Sequence, residues 1–320
     1  MSASGQATGI GGIARAVVDS PREGAMHRFF DRLIAGQARW ARPLGDFNHR
    51  WLHALFRPML PVRDLLNGRW LGHPLHSVLT DAPIGILFLV IVLDVLGQPV
   101  AADVALFVGI LTMLASAVTG AADYSDTDGA ARERATVHST LMVIALLVYI
   151  ASLVMRIGGG EGAGDPDRTA AIWVSIIAFG ILIAGAYVGG AVVYSLGNMV
   201  SRHAFRGSGT KWIALEPAEL DGAGDIPEGR PVKGKLGINA VALVRQGDVV
   251  LAVHDQCAHA GGPLSDGTLR GDGVIECPWH GSRFRLADGH VVRGPSVHDQ
   301  PAYEVRRTEA GGWEARRRPA

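Results

Sequence analysis

Cysteine is nearly absent: two residues in a chain of 320 are too few for a disulfide scaffold. Excess charge of either sign is absent as well. Lys plus Arg and Asp plus Glu each number 30, so the chain as a whole has no electrostatic footprint for a nucleic-acid partner. Charged residues are scarce, 19% against 48% hydrophobic, and that balance excludes a disordered chain. Near its start the sequence also lacks an apolar run. The first begins near residue 79, the wrong place for a cleaved signal peptide.

The apolar residues are gathered into long runs. Val104–Ala122, Ala135–Met155 and Thr169–Ser201 hold 19, 21 and 33 residues without a charge, and a bilayer-spanning helix needs roughly 20. Leu79–Leu96 is apolar apart from Asp81 and Asp94, and Gly97-Gln98-Pro99 then breaks the chain. Four transmembrane helices are expected, at about 79–97, 101–121, 136–155 and 172–195. Residues 1–78 carry ten arginines and five acids. By the positive-inside rule the N-terminus is cytoplasmic, and four spans return the C-terminus to the same side of the cytoplasmic membrane. Within residues 20–70, Arg28, Arg32, Arg39, Arg42, Arg50 and Arg57 alternate with Phe29, Phe30, Leu33, Trp40, Trp51 and Phe56. This mixture reads as an amphipathic helix on anionic lipid, or as a helix packed on the protein's own soluble part. Asp94 is expected to leave span one at the outer surface, and Asp81 to pair with Arg132 or Arg134 or to orient a histidine.

After about residue 208 short β-rich runs alternate with Gly/Asp turns, as in Val249–Val253 and Gly271-Asp272-Gly273, which predicts an antiparallel all-β domain. Both cysteines lie there, in Cys257-Ala258-His259 and in Cys277-Pro278-Trp279-His280, with seventeen residues between the two motifs. Thiolate plus imidazole on each of two glycine-rich loops is a metal-binding arrangement, and a Cys2His2 zinc site is its competitor.

The stretch from Cys257 to Ser296, including Gly294-Pro295, resembles the Rieske [2Fe-2S] domain in its ferredoxin-like form. The resemblance implies an antiparallel β-sandwich in which Cys257 and Cys277 ligate the inner iron and His259 and His280 the outer one. The respiratory members carry an extra cysteine in each loop; here those places read Gly262 and Trp279. The serine and tyrosine that donate to cluster sulfurs there correspond to Ser282 and Phe284, and Phe284 has no hydroxyl. A potential near the low end of roughly −150 to +300 mV is therefore expected.

Residues 70–200 resemble a bacterial four-helix membrane domain of unknown function, through GHPLHSVLTDAPIG, the His138 helix start and GGAVVYSLGN at 189–198. His73, His76 and His138, with His203, fall at the cytoplasmic end of the expected bundle. The first three are candidates for a haem or metal site, against a reading as interfacial helix-end residues. His254, His290 and His298 read as surface groups, and His27, His49 and His53 show no evident partner. The expected organisation is a basic N-terminal segment (1–70), a four-helix transmembrane domain (71–203), a linker (204–210) and a Rieske domain (211–318).

The expected function is one-electron transfer by a membrane-anchored iron–sulfur protein. Its expected partners are membrane lipids and a redox protein or quinone, with no nucleic acid. Redox sensing, and a quinone- or haem-linked oxidoreductase with a second site in the bundle, are the alternatives. A complete Rieske oxygenase is not expected, since forty residues follow His280 and such enzymes place a large iron-containing domain there. Whether the chain is a component of a larger enzyme stays open.

Overall fold

The computed structural model describes residues 25–158, 166–204 and 210–318; the start of the expected N-terminal segment and most of the expected linker lie outside the described residues. Three helices lead in: α1 (Ala25–Ala35), α2 (Ala38–Phe56) and α3 (Leu60–Leu66). The membrane part follows as a short α4 (Leu75–Leu79), then α5 (Asp81–Val95), α6 (Pro99–Tyr124), α7 (Gly129–Gly158) and α8 (Pro166–Tyr194). Among the described residues four helices are long and apolar enough to cross a membrane: Leu75–Val95, Pro99–Tyr124, Gly129–Ile157 and Arg168–Tyr194. Only 17–33% of the most apolar stretch of each is buried within the protein. Phe88, Phe107, Leu111, Val143, Leu147 and Trp173 point outward. Helices buried in a soluble fold would hide such faces, whereas helices in lipid present them.

The helices pack in a ring, α5 on α6, α6 on α7, α7 on α8 and α8 back on α5. Leu87, Val90, Leu106, Ile110, Met113, Tyr149 and Leu182 fill the centre. The helices outrun the uncharged runs because their terminal charges find partners. Arg132 and Arg134, at the start of α7, pair with Asp46 (3.0 Å) and Asp31 (3.5 Å), and Glu133 takes Arg42 (2.5 Å). These bonds clamp α1 and α2 onto the bundle end, so the basic N-terminal segment packs on the protein itself through Ile34, Ala41, Gly45 and Phe56. It also keeps an exposed apolar stripe, Leu44, Phe47, Trp51 and Leu55. Asp81 is exposed, and the two arginines expected to pair with it are committed to Asp46 and Asp31.

At the opposite end Asp94 does not exit to the surface. Its side chain is 1% exposed and sits 2.6 Å from Arg156, itself fully buried, and 3.4 Å from Arg168. Asp103 completes the network, 3.0 Å from Arg156 and 3.1 Å from Arg168. Ser152 and Ser175 supply further acceptors to Arg156. An isolated charge at this depth would be costly, and mutual pairing with shared hydrogen bonds offsets that cost.

The C-terminal part is all-β and antiparallel. Its strands are β1 (Ile213–Pro217), β2 (Val232–Leu236), β3 (Asn239–Gln246), β4 (Val249–His254), β5 (Thr268–Arg270), β6 (Val274–Glu276), β7 (Arg283–Arg285), β8 (Val291–Arg293), β9 (Ala302–Arg307) and β10 (Trp313–Arg317). Six of them close into a barrel in the order β1-β10-β9-β4-β3-β2, and β5-β6-β7-β8 form a second sheet. The barrel is cored by Leu215, Ile226, Val232, Val241, Leu243 and Ala252. A second core, with Leu264, Ile275, Phe284 and Leu286, contains both cysteines and lies under the small sheet.

Removing one partner of a buried ion pair costs about 3–5 kcal/mol. Asp94→Ala is therefore expected to lower the thermal midpoint of the detergent-solubilised protein sharply, and Asp81→Ala to leave it near wild type. Equal midpoints for the two variants would contradict the pairing.

Candidate functional site

Two loops carry the cysteine and histidine motifs, one between β4 and β5 and the other between β6 and β7, and they close in the same way. Cys257 N–H donates to Gly262 O (2.9 Å) and Gly261 N–H returns to Cys257 O (2.9 Å). Cys277 N–H donates to Ser282 O (2.8 Å) and Gly281 N–H returns to Cys277 O (3.1 Å). The fourth residue after each cysteine has positive φ, +90° at Gly261 and +74° at Gly281, which glycine alone adopts without strain. The backbone N–H groups of His259 and Ala260 then serve the Cys257 sulfur, and those of Trp279 and His280 the Cys277 sulfur.

The donors fall into two pairs. The buried thiols of Cys257 and Cys277 are hydrogen-bonded to each other. That bond pushes Cys257 up and holds Cys277 down to about 7, with the N–H groups of its loop assisting. The rings of His259 and His280 lie 4.9 Å apart, centre to centre, at 84°. Burial drives His259 down to about 3 and lowers His280, so both imidazoles are neutral near pH 7 with a lone pair to give. His280 Nδ1 is buried without a hydrogen-bond partner among the described residues. Among the described residues no three His, Cys, Asp or Glu side chains converge on one metal position. A thiol pair beside an imidazole pair therefore suits two metal ions, each with a like pair, better than one tetrahedral ion.

Neighbouring residues fix the loops. Gln300, fully buried, accepts from Ala258 N–H (2.9 Å) and donates to the carbonyls of His254 (2.5 Å) and Gln256 (2.7 Å). It holds the first loop against the barrel, a role with no signal in the sequence. Ser282 Oγ accepts from Ser296 N–H (3.0 Å), which ties the second loop to the Gly294-Pro295 loop. A Cβ on Gly262 would stand 2.8 Å from the Trp279 ring, so the places where respiratory members bear extra cysteines are in contact.

The site faces the helices. Gly294 N–H donates to Asp64 Oδ1 (3.1 Å), and a Cβ on Gly294 would stand 2.9 Å from that oxygen. Arg63 donates to Gly294 O (3.4 Å) and pairs with Asp126 (3.0 Å), with both side chains nearly buried. Asp128, between α6 and α7, lies 3.7 Å from His280 Nε2. A second contact comes from the chain after α8: His203 Nε2 donates to Gln256 O (2.9 Å) and its ring lies 4.6 Å from that of His254. His298 Nε2 donates to Met199 O (3.2 Å). His254 is thus buried, and His298 is a docking group; neither is a free surface residue.

Between the two parts lies an open cavity of about 480 Å³ with Trp279 and His280 on one wall. His49, His53, Arg57, Arg63 and Arg132 come from the helical side, and Arg283 and Arg293 from the β side, against Asp126 and Glu276. Three of the N-terminal histidines were without an evident partner in the sequence; His49 and His53 stack at 5.7 Å and line this cavity.

In the bundle the structure brings together His76 and His138, whose ring centres are 6.3 Å apart. His73 is exposed, with Nδ1 on the carbonyl of Pro74 (3.1 Å), and joins neither.

Residues 216–304 match the Rieske [2Fe-2S] domain family. The ferredoxin subunit of 3-phenylpropionate/cinnamic acid dioxygenase from Escherichia coli (strain K12) is 31% identical over 81 residues, 25% of this chain and 76% of that subunit. The chain belongs to the Rieske [2Fe-2S] family. Ferredoxin CarAc of Metapseudomonas resinovorans is 39% identical over 71 residues, and the chain spans 65% of that ferredoxin with 22% of its own length. The solved ferredoxin of carbazole 1,9a-dioxygenase from Nocardioides aromaticivorans IC177 aligns at 28% identity over 33% of this chain and 99% of that one, with a TM-score of 0.28. Residues 72–202 match the family described as predicted membrane protein (DUF2231). The protein is therefore a Rieske domain, which implies a [2Fe-2S] cluster, joined to a membrane domain.

Burial raises Asp126 to about 6 despite Arg63 beside it. A carboxyl raised in the folded state favours folding at low pH, and that contribution fades as pH climbs from about 4 to about 6. Thermal midpoints should therefore fall across this window in wild type and fall less steeply in Asp126→Asn. Parallel curves would contradict the assignment.

Proposed function

We propose that Cys257 and Cys277 hold one iron of the Rieske cluster and His259 and His280 the other, and that the protein passes single electrons at a membrane surface. The observation that carries this reading is the pairing of donors: two buried thiols hydrogen-bonded to each other, two neutral imidazoles in edge contact, and a His280 Nδ1 with no hydrogen-bond partner among the described residues. When bound, the cluster takes up and releases one electron at a time. The backbone N–H groups around both sulfurs offset thiolate charge. Gln300 keeps the Cys257 loop from moving when that charge changes.

His280 and the exposed Trp279 form the port, because they border the cavity while Cys257 and Cys277 are sealed in the core. Five arginines against two carboxylates line the port, which favours a redox partner that presents acidic groups. The Escherichia coli relative named above is the ferredoxin subunit of a dioxygenase, and a protein acceptor or donor of that kind suits this port.

The Rieske domain and α1–α3 lie at one end of the bundle, where the N-terminal arginines gather. At the other end Arg156 and Arg168 are neutralised by Asp94 and Asp103. This asymmetry supports both termini in the cytoplasm, at the cytoplasmic membrane. Leu44, Phe47, Trp51 and Leu55 recur at helical spacing on the exposed side of α2 and suit insertion among lipid headgroups.

Cys257→Ala and His280→Ala in the full chain should each abolish the EPR signal of the reduced Rieske cluster; an unchanged signal would overturn the ligand assignment. Phe284 is fully buried beside the cysteines and gives no hydroxyl to a sulfur. Film voltammetry is expected to find a midpoint toward the low end of roughly −150 to +300 mV, and Phe284→Tyr to raise it. A strongly positive wild-type midpoint would contradict this account.

A further inference from the structure

The pair His76 and His138 sits on diagonal helices of the ring, His76 at the start of the first span and His138 on α7. Each ring is anchored on a helix between them. His76 Nδ1 meets Ser116 O on α6 at 2.9 Å, and His138 Nδ1 meets Gly185 O on α8 at 2.8 Å. A carbonyl only accepts, so both Nδ1 atoms carry the hydrogen, and in an imidazole of that tautomer Nε2 is the atom with the lone pair. Neither Nε2 has a hydrogen-bond partner among the described residues. The anchoring helices make room for the rings: a Cβ on Gly120 would stand 2.9 Å from His76 Cε1, and one on Gly189 2.8 Å from His138 Cε1. At this level the neighbouring helices present Ser116, Gly120 and Gly189, with Met142 seated over Gly185, and the bulky core of Ile110, Tyr149 and Leu182 lies further along.

Ring spacing selects the ligand. With metal–imidazole bonds of about 2.0–2.1 Å, two trans imidazoles on one metal have ring centres about 6.4 Å apart, and two at a tetrahedral angle about 5 Å. The observed 6.3 Å is the trans value. A metal ion held by the protein alone would need further donors, and no third His, Cys, Asp or Glu joins the pair among the described residues. A haem brings four equatorial nitrogens of its own. Nδ1–H donated to a carbonyl is the usual outer support of a metal-ligating histidine.

We propose that His76 and His138 are the two axial ligands of one haem inside the membrane domain. The haem is held non-covalently, since both cysteines lie in the Rieske loops. It forms a second one-electron carrier: an electron passing from the reduced cluster to ferric haem leaves the cluster oxidised and the haem ferrous, with no proton moved. Asp128, beside His280, precedes His138 by ten residues, about 15 Å of helix. This site is independent of the cluster ligands, and the two are read by different signals.

The test is hemin titration of the purified full-length protein, with the cluster EPR signal measured on the same samples. Wild type should bind one hemin and give the optical spectrum of low-spin, six-coordinate haem. His76→Ala and His138→Ala should each weaken binding at least tenfold and lose the low-spin form, with the cluster signal intact; His73→Ala should match wild type. His138→Met, which retains a ligand, should keep bound haem with a raised potential and guards against a folding defect in the alanine variants. Wild-type protein with a full cluster signal and no low-spin haem after titration would overturn the proposal. So would unchanged hemin binding in both alanine variants. Loss of the cluster signal with haem retained would instead count against the ligand assignment in the Rieske domain.

Discussion

Two consecutive residues of α3 hold the protein's two halves in register. Arg63 points back to Asp126 between α6 and α7 and forward to the Gly294 carbonyl, while Asp64 takes the Gly294 N–H. Ionised side chains this buried are tolerated only when paired. The membrane domain, the lead-in helices and the Gly294-Pro295 loop are therefore satisfied together or not at all. The orientation of His280, the shape of the cavity beside it and the approach of any partner all follow from this joint.

The zero net charge of the chain hides a strong internal division. Residues 1–78 carry an excess of five positive charges, residues 79–208 a deficit of four and residues 209–320 a deficit of one. Folding sets Arg42 and Arg63 of the first segment on Glu133 and Asp126 of the second and places Arg57 beside the port. At the far end four charged groups cancel one another inside the bundle. One end of the membrane domain is thus electrically marked and the other is silent.

What the sequence revealed tracks the range of the interaction concerned. Four spans were legible because lipid demands long uncharged runs, and the Rieske domain because two closely spaced Cys/His motifs admit few other uses. Helix ends were not, because Arg132, Arg134 and Arg156 read as loop charges until their partners are known. Asp94 looked like an interfacial residue, and only the packing of α5 against α8 brings Arg168 to it. Gln300 and Gly294 act through contacts with residues up to 231 positions away, which no local pattern encodes. Among the bundle histidines spacing could not choose; backbone carbonyls on neighbouring helices single out His76 and His138.

The central claim is a Rieske cluster held in one fixed attitude at a membrane surface by the Arg63–Asp64 joint. Its most direct test is EPR of the reduced full-length protein in oriented membrane multilayers. A [2Fe-2S] signal whose line intensities change as the sample is rotated in the field is the predicted result. A signal that does not vary with angle, or no such signal, would contradict it.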